Sequence, residues 1–203
     1  MKKNEKKLAA LVAGTLVLYG GMYGLSPLAL PLAEAAEASD QTVTVASGGT
    51  EESVYGGSAN VQSGAEAVLT QRNTVNVYGT VMFSTYGGDA YTSGTGSATA
   101  SGNTVNVYGK SGSQKSDYLV GGIATATAAS AATAEASNNT VNVCGTVTGS
   151  IIVGSADALG GTAIAAKNTV NIYGTVTGDV IAGLCGDSWT ANTVTLSESS
   201  VNF

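Results

Sequence analysis

Asn73-Thr74-Val75-Asn76-Val77-Tyr78-Gly79 returns almost unchanged as Asn103-Thr104-Val105-Asn106-Val107-Tyr108-Gly109. It returns again as Asn139-Thr140-Val141-Asn142-Val143-Cys144-Gly145 and as Asn168-Thr169-Val170-Asn171-Ile172-Tyr173-Gly174. Within the phrase, apolar and polar residues alternate, so the two valines share one face of an extended chain and Thr, Asn and Tyr share the other. Val, Thr and Tyr favour strands, Asn and Gly favour corners, and the mixture disfavours helix. Thr42-Val43-Thr44-Val45 upstream and Asn192-Thr193-Val194-Thr195-Leu196 downstream read as degenerate copies. The Asn positions recur at intervals of 30, 36, 29 and 24 residues, a spacing typical of solenoids and other repeat arrays.

A second element follows each phrase: Ser53-Val54-Tyr55-Gly56-Gly57, Asp117-Tyr118-Leu119-Val120-Gly121-Gly122, Ser150-Ile151-Ile152-Val153-Gly154 and Asp179-Val180-Ile181-Ala182-Gly183, with a weaker copy at Phe83-Ser84-Thr85-Tyr86-Gly87-Gly88. A third is built from small residues: Ser97-Ala98-Thr99-Ala100, Ala124-Thr125-Ala126-Thr127-Ala128 and Thr162-Ala163-Ile164-Ala165. Each repeat thus reads as three short strands joined by Gly-rich corners. One repeat cannot bury its valines alone. Coiling the chain places Val75, Val105, Val141 and Val170 in one inward column and Val77, Val107, Val143 and Ile172 in the next, each strand bonding to its equivalent about 4.8 Å away. Asn76, Asn106, Asn142 and Asn171 then form an outward column whose amides can bond along the axis. The fold class is all-β, a parallel β-helix (β-solenoid) of about five turns with three strands per turn. A propeller blade would need four strands and about 40 to 45 residues, and an antiparallel barrel gives no reason for one phrase to recur.

The N-terminus reads as an export signal. Met1-Lys2-Lys3-Asn4-Glu5-Lys6-Lys7 is basic, the apolar run from Leu8 to Tyr19 is short for a membrane span, and small residues near Ala35 suit cleavage. The organisation is therefore a signal peptide over 1–35, with cleavage after Ala36 or Ala38 as alternatives, a short linker over 36–41, and a solenoid over 42–203. The expected location is exported, at the cell surface or outer membrane or in the extracellular medium.

Charged residues make up only 11% of the chain and the net charge is −6. Low charge with many β-branched residues argues against a disordered chain. Beyond the basic N-terminus and Glu34, 4 basic residues face 12 acidic ones, a balance of −8. So acidic a surface excludes nucleic acid as a partner. His is absent, which removes His-based triads and His metal sites. Asp117 and Asp179 occupy equivalent places two turns apart, about 10 Å by stacking. That separation is too loose for retaining glycoside chemistry, and solvated corner residues account for both. Gly87-Gly88-Asp89 and Gly186-Asp187 read as turns, because no calcium-binding nonapeptide surrounds them. Cys144 takes a Tyr slot, and Cys185 falls on a different strand of the adjacent repeat, so two separate thiols are expected rather than a disulfide. Tyr78, Tyr108 and Tyr173 form an exposed column that stacks along the surface and offers aromatic contacts to sugars or proteins. No catalytic, cofactor-binding or metal-ligating residue is expected, and no cofactor.

The repeated phrase, continued by Gly174-Thr175-Val176-Thr177-Gly178-Asp179-Val180, resembles repeats in the passenger regions of Gram-negative autotransporter proteins. The resemblance covers 42–196. It implies a β-helical passenger exposed at the cell surface, often adhesin-like; with no catalytic residues in view, the chain is expected not to be an enzyme and to have host or surface glycans or proteins as partners. The chain departs from that pattern in stopping at Ser200-Val201-Asn202-Phe203, without the C-terminal barrel of ten-residue strands. Two alternatives stay open: a carbohydrate-active β-helix enzyme, and a truncated passenger with no function of its own. Open solenoid ends expose strand edges, so end-to-end self-association is expected.

Overall fold

The computed structural model describes residues 15–18, 37–128, 132–186, 193–197 and 200–202. Every described element is a strand and every pairing is parallel. The copies of the phrase, Thr74–Val77, Thr104–Val107, Thr140–Val143 and Thr169–Ile172, lie side by side in one sheet behind Thr42–Val45. Their inward residues stay in step: Val105 is partnered by Val75 and Val141, and Val107 by Val77 and Val143. All six are fully buried. The expected parallel β-solenoid of about five turns is the fold.

The sequence predicts three strands per turn, and the structure has four. Followed from Thr74, a coil runs through Thr74–Val77, Thr80–Val81, Thr85–Thr92 and Ala98–Ser101, each in a different sheet. We number these sheets one to four. The extra strand is two residues long and hides inside what reads as a Gly-rich corner. It is a true strand because Val81 and Val147 turn inward there and the pair bonds to its equivalents, Thr80 with Lys110 and Lys110 with Thr146.

Two other placements differ from expectation. Ala124-Thr125-Ala126 ends the long third-sheet strand Tyr118–Ala126, and the fourth-sheet strand of that coil is Thr133–Ser137. Both sheets line the same narrow interior, so both carry alternating Ala and Thr and composition cannot tell them apart. Asn192-Thr193-Val194 looks like the phrase, yet Thr193–Ser197 pairs with Thr162–Ala166 in the fourth sheet. The next first-sheet strand is Ser200–Asn202, with Ser200 opposite Thr169 and Asn202 opposite Asn171. An interval of 24 residues is too short for a full coil, and the step from Thr169 to Ser200 restores the normal length.

The interior has two separate apolar lobes. A valine lobe, with Leu119 and Ile151, fills the space between sheets one, two and the first half of sheet three. An alanine lobe fills the narrower space between sheet four and the second half of sheet three. Thr85 and Ser111 place two hydroxyls in the valine lobe, and these satisfy each other at 2.9 Å.

A buried column of Asn73, Asn103, Asn139 and Asn168 separates the lobes. Asn103 Oδ1 accepts the backbone N–H of Asn73 at 3.1 Å and its side-chain N–H at 3.0 Å. Asn103 Nδ2 donates to the Thr70 carbonyl and to Asn139 Oδ1. Every polar atom of that carboxamide is thereby used, which is what permits its burial. The residue before each ladder position has a left-handed backbone: Arg72 at φ 54°, Gly102 at 65°, Asn138 at 55° and Lys167 at 55°. That single reversed residue turns the chain from sheet four into sheet one and aims the next side chain inward.

The segment expected as a signal peptide, with the expected cleavage points at Ala35 and Ala36, lies outside the described residues, apart from Thr15–Leu18, which pairs with Thr42–Val45. From Glu37 the chain is already packed: Glu37 bridges Leu69, and Ala38 N donates to the Leu69 carbonyl. The stretch expected as a linker thus lies against the first coil over most of its length.

Candidate binding groove

The third sheet carries the long strands Thr85–Thr92, Tyr118–Ala126 and Ser150–Ala158. Two adjacent residues in the middle of each face inward, Gly87-Gly88, Gly121-Gly122 and Val153-Gly154, so the alternation breaks there. The glycine pairs read as corners in the sequence; they lie inside strands. A Cβ on Gly122 would stand 2.8 Å from Asn139 Nδ2, and one on Gly88 2.5 Å from Asn103 Nδ2. Glycine in a strand marks such a close backbone approach. The sheet bends inward here until it touches the Asn ladder, pinching the interior into its two lobes.

An inward bend leaves a concavity outside. Residues on either side of each pair, Tyr86, Val120 and Ile152 before it and Ile123 and Ser155 after it, line one pocket together with Tyr118. Its volume is about 180 Å³. By register the first column begins at Tyr55 and continues to Ile181, and the second runs from Ser58 and Asp89 through Ile123 and Ser155 to Leu184. The groove therefore follows the solenoid axis and changes character along it. Its middle is aliphatic, and its N-terminal part holds two tyrosines and a carboxylate.

Tyr55 and Tyr86 stack there with ring centroids 4.7 Å apart and planes 12° from parallel. Burial pushes the Tyr55 phenol above its ordinary pKa, with further upward pushes from Tyr86 and Asp89. Asp89 is half-buried, and burial raises its carboxyl too. Among the described residues no cation or hydrogen-bond donor reaches that carboxylate: the ion pair present is Arg72 with Asp40, on the corner between sheets four and one.

The residues singled out from the sequence lie elsewhere. Tyr78 and Tyr108 stack at 4.8 Å with planes 7° apart, so each ring gives one face to the other while both residues remain exposed. Cys144 interrupts the column, and Tyr173 beyond it is the most exposed of these tyrosines, at 76% against 48% for the other two. The outward amide column forms as expected: Asn106, Asn142 and Asn171 each donate from Nδ2 to the Oδ1 of the preceding coil, at 2.8 to 2.9 Å. Cys144 is on the exposed face of sheet one, whereas Cys185 lies half-buried against the alanine lobe in sheet three, and the described residues hold no disulfide.

The expected equivalence of Asp117 and Asp179 is corrected. Tyr118 is opposite Ser150, and Ile151 opposite Val180, so Asp179 follows the column of Tyr118 and Ser150 while Asp117 falls one place earlier. Register is set by the inward residues Leu119, Ile151 and Val180, not by the acids. Asp117 instead closes a turn, its carboxylate accepting the backbone N–H groups of Ser113 at 2.6 Å and Gln114 at 2.7 Å. The groove itself was signalled only by paired glycines embedded in a strand-like stretch, a signal that equally describes a turn.

Fold and groove define a parallel β-solenoid with an axial surface cleft. No protein-family model matches the chain, and no match was found among curated proteins or solved structures.

Proposed function

We propose that the chain is an exported, surface-displayed passenger of the autotransporter type, a non-enzymatic binding protein whose contact face is the third-sheet groove. The observation that carries this is the line of exposed and half-buried Tyr55, Tyr86, Tyr118, Ile123, Ile152 and Leu184 along one face of a small, acidic solenoid. Contiguous apolar surface on a soluble protein marks an interaction site more often than isolated exposed residues do. The non-enzymatic reading is supported by Asp117 being engaged in its own turn and out of register with Asp179.

The test is adhesion. The full chain, displayed on a bacterial surface, should hold cells to protein-coated or glycan-coated supports and to host cells. Ile152→Lys, placing a charge in the groove, should reduce attachment several-fold. Tyr108→Ser, on the other face, should leave it intact. Attachment indifferent to Ile152→Lys removes the groove from the reading, and polysaccharide cleavage by the purified chain replaces it with the enzyme.

A further inference from the structure

We infer that the groove takes an extended peptide segment of a partner protein, in which a lysine or arginine enters beside Asp89 and an aliphatic side chain about three residues away fills the hollow over Val120, Ile123 and Ile152. The inference rests on the groove being the contact face.

Asp89 sets the cation. A half-buried carboxylate loses solvation and recovers it only through a partner, and the described residues supply none. Its column neighbours by register are Ser58 and Ile123, neither of which carries charge. The stacked phenols of Tyr55 and Tyr86 lie within electrostatic reach and add acceptors and aromatic edges, not donors of charge. An ammonium or guanidinium group satisfies all of these at once. Long-range attraction acts in the same sense, since the chain beyond its N-terminus carries −8.

The rest of the groove sets the aliphatic group. Ile152 stands two coils beyond Asp89, because Asp89 lies in the coil of Tyr86, and Tyr86, Val120 and Ile152 are successive partners. Two coils span about 10 Å, the reach of about three extended residues. A sugar fits less well: between Tyr86 and Ser155 the pocket is lined mainly by Val120, Ile123 and Ile152, and Tyr55 and Tyr86 each give one ring face to the other, which leaves Tyr118 as the exposed ring of the pocket. Strand addition is also disfavoured, since the central long strands are hydrogen-bonded on both edges. Recognition then falls to side chains, which makes it sensitive to sequence.

The test uses fluorescein-labelled Arg-Ser-Gly-Leu-Leu and its counterpart Glu-Ser-Gly-Leu-Leu, titrated with the full chain by anisotropy. The Arg peptide should bind at least about tenfold more tightly. Asp89→Asn, an isosteric change that relieves a buried charge, should fold normally and abolish the difference. Ile123→Ser and Ile152→Ser should weaken both peptides alike. Equal binding of the two peptides, or a preference for Arg that survives in Asp89→Asn, overturns the proposal, as does displacement of bound peptide by neutral oligosaccharides. Should the peptides fail while Ile152→Lys still reduces adhesion, the groove keeps its role and the peptide assignment falls. Should both fail, the contact face lies elsewhere.

Discussion

The carboxamide oxygen of Asn139 accepts both the backbone N–H and the side-chain N–H of Asn103, each at 3.1 Å, in the fully buried seam between the two lobes. Asn139 in turn donates to the Ala100 carbonyl and to Asn168 Oδ1. One side chain thus ties three coils together with four hydrogen bonds. Asn139→Ala leaves two donors and a carbonyl without partners where water is absent, at a cost of about 1–3 kcal/mol per group. We expect a loss of about 3–5 kcal/mol in urea unfolding. Asn142→Ala, which cuts the half-exposed outer ladder, should cost about 0.5–1 kcal/mol, because water replaces what is lost. Equal losses at the two sites would falsify the division of labour between the ladders.

The glycine pairs predict a second asymmetry. The Cβ of Gly122→Ala would lie 2.8 Å from both polar atoms of the Asn139 amide, which is anchored at each end and cannot step aside. Overpacking of this sort costs about 1–3 kcal/mol. Thermal unfolding of Gly122→Ala should therefore occur well below that of the parent. Groove binding should weaken in the same variant even at temperatures where it stays folded, because the bend that forms the cleft is displaced. Wild-type stability in Gly122→Ala would mean that sheet and ladder are not in close contact.

Cys144 interrupts an aromatic column on an exposed face, between Tyr108 and Tyr173. Cys144→Tyr restores the repeat consensus and adds ring contacts like the one already made by Tyr78 and Tyr108. Such a pair is worth about 0.5–1.5 kcal/mol. The melting temperature should rise by about 2–5 °C for a chain of this size. An unchanged or lower melting temperature would show that the coils do not hold residue 144 in line with its neighbours.

Asp89 gives the pH dependence its sign. Its carboxyl pKa is raised by burial, so the folded state holds the proton more tightly than the unfolded chain does. The protein is then favoured at low pH, where both states are protonated, and loses that contribution as pH rises from the unfolded Asp value through the raised one. The Tyr55 phenol, which the carboxylate helps to push upward, ionises only far above that range. Asp89→Asn should therefore be more stable than the parent at pH 7, and the two should converge in acid. An Asp89→Asn variant less stable than the parent at pH 7 would point instead to an unrecognised cation near the carboxylate.

Much of the fold was legible because the phrase repeats side chain for side chain. Val75 and Val77, two apart and recurring every 29 to 36 residues, require stacked parallel strands, and the columns they predict are those observed. The outer amide ladder follows from the same alternation. Asn73 and its equivalents were harder to read, since a corner asparagine ordinarily serves a turn. Only the left-handed residue before it decides that it points inward. Asn192 misled for the opposite reason: the tripeptide matches, but its place in the coil is set by the length of chain preceding it.

The amino-acid sequence by itself determined that this chain coils, which residues face inward in the first sheet, and that Asn and Tyr columns run along the outside. Each follows from local alternation plus repetition. The tertiary structure alone decided that Gly121 and Gly122 are a bend and not a corner, that Asp89 has no partner among the described residues, and that Tyr86, Ile123 and Ile152 share one cleft. Those facts depend on which backbone approaches which across the interior, and residues distant in sequence meet there only once the coils have closed on the buried asparagines.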